Sequence, residues 1–458
     1  MSDNFSSVSE IMNDVEVFLG KRFESRKKGI LEALESIANT ALSYDDKVEI
    51  SGKTLQEFWK EYSREHIAKV LEGFPKIQKA LFGLELHPEL GERYRDHFLH
   101  MFNIFVFGAR ILSKIVKVDS KGRFVKRFFK ITKEPKEIGD LFHKGAYTAS
   151  ERLNFLWTLI STFHDVGIPI EHLPKLQDGL NSFLYHFGLR LSEFSAEREV
   201  SVDCRLNYYL SLMSRMYNDG IKLDGELYVE TTNPHPYVYK ALLDGYDKND
   251  HGIISAICLF KSIEETFYRG KEEEKRLDLS MKQIERYNSL VFEQDITRAA
   301  LAIALHDLEP DLWPKLFPIS FKKFPLSYLL IFCDELQEYF RLEGSSLAGV
   351  IPIKSFPYLD VKVKGKPLSM EINVRISYEK LKEEDEKSLM DEVNSYYAKI
   401  NERPPGNFEQ HMDRVWKRIS DRLKKRLSFR GEPVSITLGI FEVEKSSSRR
   451  TLHWNSTD

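Results

Sequence analysis

Cysteine is scarce: Cys204, Cys258 and Cys333 are the three in 458 residues, with no CxxC spacing. That excludes a disulfide framework and a cysteine zinc site, and fits a reducing compartment. An excess of one charge is also missing, since 67 basic residues stand against 70 acidic for a net charge of −3. Loose attachment to nucleic acid or to an anionic membrane is therefore not the expected main function. No run approaches the ~18 uninterrupted apolar residues of a membrane span, and the opening MSDNFSSVSE lacks an apolar signal core. These features predict a soluble, cytoplasmic protein with no membrane partner. GxGxxG, GxSxG and HExxH do not occur. SGKT at 51–54 imitates the end of a P-loop, but Lys47 stands where that motif needs glycine.

What is present is ample apolar material, 42% of the chain, enough for two or three folding units at ~100–200 residues each. The first 80 or so residues read as helices, with Thr54 and Glu57 spaced as a capping box. RYRDHFLHMFNIFVFGARIL (93–112) is apolar on nearly every side, the mark of a helix buried in a bundle. Residues 115–136 alternate, are rich in Val, Ile and Phe, and break at Asp119–Gly122, which predicts a β-hairpin inserted between helices. Helical patterns resume at 149–163, 177–218, 252–267, 293–306 and 324–341. After the Gly344-Ser345-Ser346 break the texture changes to two β-like runs, two amphipathic helices (379–400 and 408–428) and the strand VSITLGIFEV. The expected fold is therefore mostly α. A helical domain over 1–345 precedes a small α+β accessory domain over 351–446 and a flexible tail over 447–458.

The chemistry concentrates in histidines set within strongly apolar helices. His100 lies in FLHMFNIFVF, His164-Asp165 close LNFLWTLISTF, His251 opens HGIISAICLF, and His306 ends AALAIAL. Asp334 falls on the helix face that Leu326, Leu330 and Cys333 would bury. Histidine in a core is ordinary, but a buried unpaired carboxylate costs several kcal/mol, so Asp165 and Asp334 call for a cation, a metal or many donors. Imidazole and carboxylate together are the ligand set of Zn, Mn, Fe and similar ions, and one shared centre satisfies them all.

The order H…HD…H…H…D, each member in its own helix, resembles the HD superfamily of metal-dependent phosphohydrolases over roughly residues 90–342. The local texts that carry it are RDHFLHMFNI, STFHDVGIP, NDHGIISA and LLIFCDEL. The resemblance implies an HD-type helical bundle, with His100, His164, Asp165 and Asp334 on a first metal. Asp165 would bridge to a second ion held by His251 and His306. It implies divalent cofactors, two of Mn, Fe, Zn, Ni or Mg, and a metal-bridging hydroxide that attacks phosphorus. Asp165, His251 and His306 are then the catalytic candidates. The implied substrate is a phosphate-containing small molecule, a nucleotide or another phosphate ester or anhydride; a homo-oligomer stays open. His97, one turn before His100, is an alternative first ligand. The HD-GYP lysine is replaced by Ile168, and the continuation found in deoxynucleotide triphosphohydrolases by IPIEHL, so neither substrate class carries over.

Blander readings stand beside these. His164-Asp165 could be a helix end, Asp334 an arginine-paired acid, and His251 an N-cap beside Asp250. The basic, Phe-rich stretch 121–136 could be a two-faced hairpin or a guide for single strands. Helix 414–430 reads by default as a solvated basic face, with contact to nucleic acid the less favoured option. The competing functions are a non-catalytic nucleotide-sensing or partner-binding module and a single-strand nuclease.

Overall fold

A computed structural model describes residues 5–20, 23–39, 42, 44–61, 97–118, 123–131, 133, 148–171, 204–217, 234–273, 293–338, 356–365, 368–378, parts of 386–398, 403–442 and 450–454. The chain is mostly helical with one small β-sheet, and it divides into two compact units. Unit 1 takes Met1–Thr54, Arg95–Phe128 and Phe317–Asp458; unit 2 takes Leu55–Tyr94 and Phe129–Leu316. The expected division near 345–351 differs from this one. The C-terminal strands share a unit with N-terminal helices.

In unit 1, helix α1 (Val8–Leu19) starts at a capping box in which Ser7 accepts from the Glu10 amide and Glu10 accepts from the Ser7 amide. Helices α2 (Phe23–Ala38) and α3 (Tyr44–Glu61) follow. Thr54 does not cap a helix. It lies inside α3 and donates its hydroxyl to the Ile50 and Gly29 carbonyls, because the pattern continues three turns upstream of it. Helix α4 (His97–Val118) is the apolar segment read from the sequence. By length and composition it could cross a membrane, yet 78% of its apolar window is buried, as in a core helix.

The hairpin expected at 115–136 is not formed. Helix α4 runs through Val118, and Arg123–Phe129 is a short helix, α5. The reason is the three- and four-residue spacing of Val125, Phe128 and Phe129, which buries all three while Arg123, Lys126 and Arg127 face outward. The turn at 119–122 lies outside the described residues.

The sheet has the order β1-β2-β3-β4-β5, with β1 at Phe5–Ser6, β2 at Phe356–Gly365, β3 at Leu368–Tyr378, β4 at Val434–Glu442 and β5 at Arg450–Trp454. Only β3 and β4 pair in parallel, because a helix intervenes between them. Met370, Ile372 and Val374 alternate inward on β3 and meet Val434, Ile436 and Leu438 of β4 in register. The expected flexible tail is partly a strand: β5 pairs antiparallel with β4, Ile436 opposite Trp454. Arg110 of α4 ties this sheet to the helices. Its buried guanidinium donates to the Pro357 carbonyl and the Ser6 hydroxyl, with Asp14 at 3.6 Å. Burial lowers the Arg110 pKa to about 10 against the pull of Asp14.

Unit 2 holds α6 (Ala149–Phe163), α7 (Ile168–Glu171), α8 (Cys204–Tyr217), α9 (Pro236–Asp247), α10 (His251–Glu273) and α11 (Thr297–Asp307). Residues 177–203 of one expected helix lie outside the described residues. Helix α6 is buried from Arg152 to Phe163, polar residues included. Thr158, Ser161 and Thr162 turn their hydroxyls back onto helix carbonyls, which satisfies them without water. Helix α11 carries alanine at 299, 300, 302 and 304, and a Cβ on Gly252 of α10 would stand 2.9 Å from the Ile303 carbonyl. That close approach sets the spacing of the two helices that carry His251 and His306.

Candidate metal centre

Four expected ligands meet in unit 2. Helix α6 ends at Phe163, and His164 caps it with its amide on the Ile160 carbonyl. The chain then turns through Asp165, Val166 and Gly167 into α7. Gly167 docks this turn on α10: its amide donates to Ser255 Oγ at 2.7 Å, and a Cβ there would collide with the His251 carbonyl. Only glycine lets the backbones approach so closely, and the approach carries Asp165 to the start of α10. Asp250 caps α10 through the Ile253 amide at 3.0 Å, so His251 is not needed as the cap.

The result is a carboxylate ringed by imidazoles. His164 Nε2 stands 3.3 Å, His306 Nε2 3.7 Å and His251 Nε2 3.8 Å from the same Asp165 oxygen, Oδ1. The His306 ring meets the His164 and His251 rings edge-on, each at 5.2 Å between centroids. Asp165, His164 and His306 are buried, at 4%, 0% and 2% exposure. With metal–ligand bonds of about 2.0–2.1 Å, neighbouring donors around a tetrahedral ion are roughly 3.3 Å apart. The observed separations match that spacing, and ligand atoms of Asp165, His251 and His306 all lie within 4.8 Å of one another. The residues present fit a divalent ion.

The other ring nitrogens explain why the Nε2 atoms face inward. His164 Nδ1 lies 3.1 Å from the Ser161 carbonyl and His306 Nδ1 2.5 Å from the Ile303 carbonyl. A carbonyl only accepts, so each Nδ1 carries the proton and each Nε2 keeps its lone pair. His251 uses acids instead: its Nδ1 is 2.8 Å from Glu171 Oε2 and 3.0 Å from Asp307 Oδ2. Such outer partners fix the tautomer and raise the basicity of a ligating imidazole. Burial would lower the His251 pKa, but Asp307, Glu171 and Asp165 outweigh it and hold the ring well above its ordinary value. Burial, reinforced by Asp307, pushes Asp250 up to about 7.

Sequence reasoning missed Glu171 and gave Asp307 no role. Glu171 sits one turn beyond Gly167 in α7, and Asp307 follows His306 directly. An acid one helical turn past the HD turn was the available signal.

The two remaining candidates form a pair inside unit 1. His100 Nε2 lies 3.0 Å from Asp334 Oδ1, joining α4 to helix α12 (Pro325–Glu338). Asp334 is thus an imidazole-paired acid, not an arginine-paired one; arginines hold its neighbour Glu335 instead, Arg422 at 3.3 Å and Arg426 at 3.4 Å. The side chain of His97, and residues Arg93, Arg95, Asp96, His172, His186 and Arg341, lie outside the described residues. His235 caps α9, its ring accepting from the Val238 amide. Cys258 and Cys333 behave as small apolar residues, their thiols pushed up by burial.

No family model, curated protein or solved structure matches the chain.

Proposed function

We propose that the chain is an HD-type, divalent-metal-dependent phosphohydrolase acting on a nucleotide or another phosphate ester or anhydride. The observation that carries this reading is the convergence of the Nε2 atoms of His164, His251 and His306 on one oxygen of buried Asp165. Three imidazoles and a carboxylate at one buried point are the donor set of a divalent-metal site, His251 giving up its proton when a metal binds. The sequence resemblance supplies the reaction class. It assigns His100 and Asp334 to the same centre through their place in the chain order.

When bound, divalent ions supply an activated water and neutralise phosphoryl charge. The chain's own residues perform the rest. Asp165 would offer its carboxylate as a ligand beside the three imidazoles. The backbone carbonyls of Ser161 and Ile303 keep His164 and His306 in the ligating tautomer. Glu171 and Asp307 draw the His251 proton to Nδ1 and so present Nε2 toward Asp165. Because the hairpin is absent, the nuclease reading loses the guide it relied on.

The test is elemental analysis joined to phosphate release from nucleoside triphosphates, monophosphates, cyclic nucleotides and single strands. About two equivalents of transition metal and turnover on one of these classes are expected. Bound metal without turnover favours the nucleotide-sensing module, and a protein that retains no metal overturns the reading.

A further inference from the structure

A second concentration of chemistry lies in unit 1, on helix α13 (Phe408–Arg426). A cavity of about 380 Å³ opens along it, walled by Arg414, Lys417, Arg418, Arg422 and Lys425, with Asp421 as the one acid in the lining. Arg414, Arg418 and Arg422 recur every four residues, which puts three like charges on successive turns of one face. Like charges at that spacing repel, and five basic side chains against Asp421 leave the lining cationic, which suits an anionic ligand. Two of the arginines are pre-set. Arg414 donates to the Arg403 carbonyl at 2.6 Å and lies 4.9 Å over the buried ring of Tyr397, which completes the lining. Arg422 is oriented by Glu335. The volume falls in the roughly 300–1,000 Å³ range of small-molecule sites.

His411, buried on the same helix with its ring 6.1 Å from Tyr397, has its pKa lowered to about 4 by burial and then by Arg418 and Arg414. Neither of its ring nitrogens has a hydrogen-bond partner among the described residues.

We propose that this cavity binds a compact polyphosphate group, such as the di- or triphosphate of a nucleotide, as a second ligand site with its own residues. Arginine side chains on successive turns, about 5–6 Å apart at Cβ, are long enough to converge on one multiply charged group and bind its phosphoryl oxygens through charge-assisted hydrogen bonds. The site involves none of the imidazole cluster, so it stands or falls apart from the proposed hydrolase activity.

The experiment is isothermal titration calorimetry of the full, chelator-treated chain with sodium tripolyphosphate. Saturable binding of one equivalent is expected, and Asp165→Ala should leave it unchanged. Arg418→Glu should weaken it about tenfold or more and Arg418→Gln less, as for loss of a charge-assisted contact. Lys28→Glu, the same charge change at an exposed position of α2, should move it less than about twofold, the scale of a screened surface charge. His411 provides a second readout, since its ring resonance should titrate at higher pH once tripolyphosphate offsets the arginines. The proposal is overturned if wild type shows no saturable binding, or if Arg418→Glu binds as wild type while retaining its helix content. It is likewise overturned if oligo(dT) binds with length-dependent affinity and tripolyphosphate does not compete, which would make the face a nucleic-acid track.

Discussion

Asp165 and Asp295 are both buried aspartates of unit 2, and they are answered in opposite ways. Asp295 receives Arg152 as a bidentate fork, Nε to Oδ2 at 2.9 Å and Nη2 to Oδ1 at 2.7 Å, with Arg298 at 4.0 Å. Arg298 is itself pulled down to about 10, chiefly by burial. Asp165 meets three imidazoles at 3.3–3.8 Å, His251 among them with its pKa held up by Asp307, Glu171 and Asp165, at the spacing of ligands around an ion. The first aspartate is balanced by arginine and serves the fold. The second lies in a His/Asp group that could hold a metal ion.

The comparison is broken most decisively at Asp165. Asp165→Ala should remove metal, measured by elemental analysis, and lower turnover by at least ~10³-fold, since ligand and reaction site are lost together. The metal-free variant should melt within a few degrees of metal-free wild type. Asp295→Ala should show the reverse pattern. Stranding Arg152 in the core costs about 3–5 kcal/mol of stability in urea titrations, with metal per folded chain preserved. If Asp295→Ala lost metal and kept its stability, the two acids would have exchanged roles and the contrast would fail.

Smaller effects sharpen the same distinction. Chelation should lower wild-type stability by about 2.7 kcal/mol relative to protein held at one hundred times the metal dissociation constant, and should leave Asp165→Ala unmoved. Glu171→Gln should weaken metal binding about 10–100-fold while leaving the ligands in place, as other losses of an imidazole's outer partner do. Competition against a chromogenic chelator would read this.

The smallest effect lies outside the cluster, at His411. Its folded pKa of about 4 is below the ordinary 6.5, so as pH falls the unfolded chain takes up the proton first. Stability from this group is complete above about pH 6.5 and declines toward pH 4, by on the order of 2–3 kcal/mol in total. The difference in urea midpoint between wild type and His411→Gln should therefore depend on pH across that window and flatten above it.

The pattern of helices was legible because apolar residues at three- and four-residue steps dictate a buried stripe: α6 runs over 149–163 as the sequence alone predicts. The strands of the C-terminal region were legible by their period of two. The 115–136 segment misled because Val, Ile and Phe favour strands, yet Val125, Phe128 and Phe129 also fit a helical face, and packing chose the helix. At the site, His164, Asp165, His251 and His306 stood out because ligand-type residues are costly in apolar helices. Glu171 and Asp307 did not, being half-exposed acids of an ordinary kind.

Local physics set the elements, since burial periodicity and the caps at Ser7 and Thr148 act within a few residues. It also set which side chains carry chemistry, because an aspartate after LNFLWTLISTF must be solvated by something. Only the tertiary structure decided which Nδ1 hydrogen bonds aim the rings, that α10 and α11 approach at Gly252, and that the chain's end returns as a strand beside β4. Those outcomes depend on contacts between segments tens or hundreds of residues apart, and a distance of that kind leaves no mark on the periodicity of either segment.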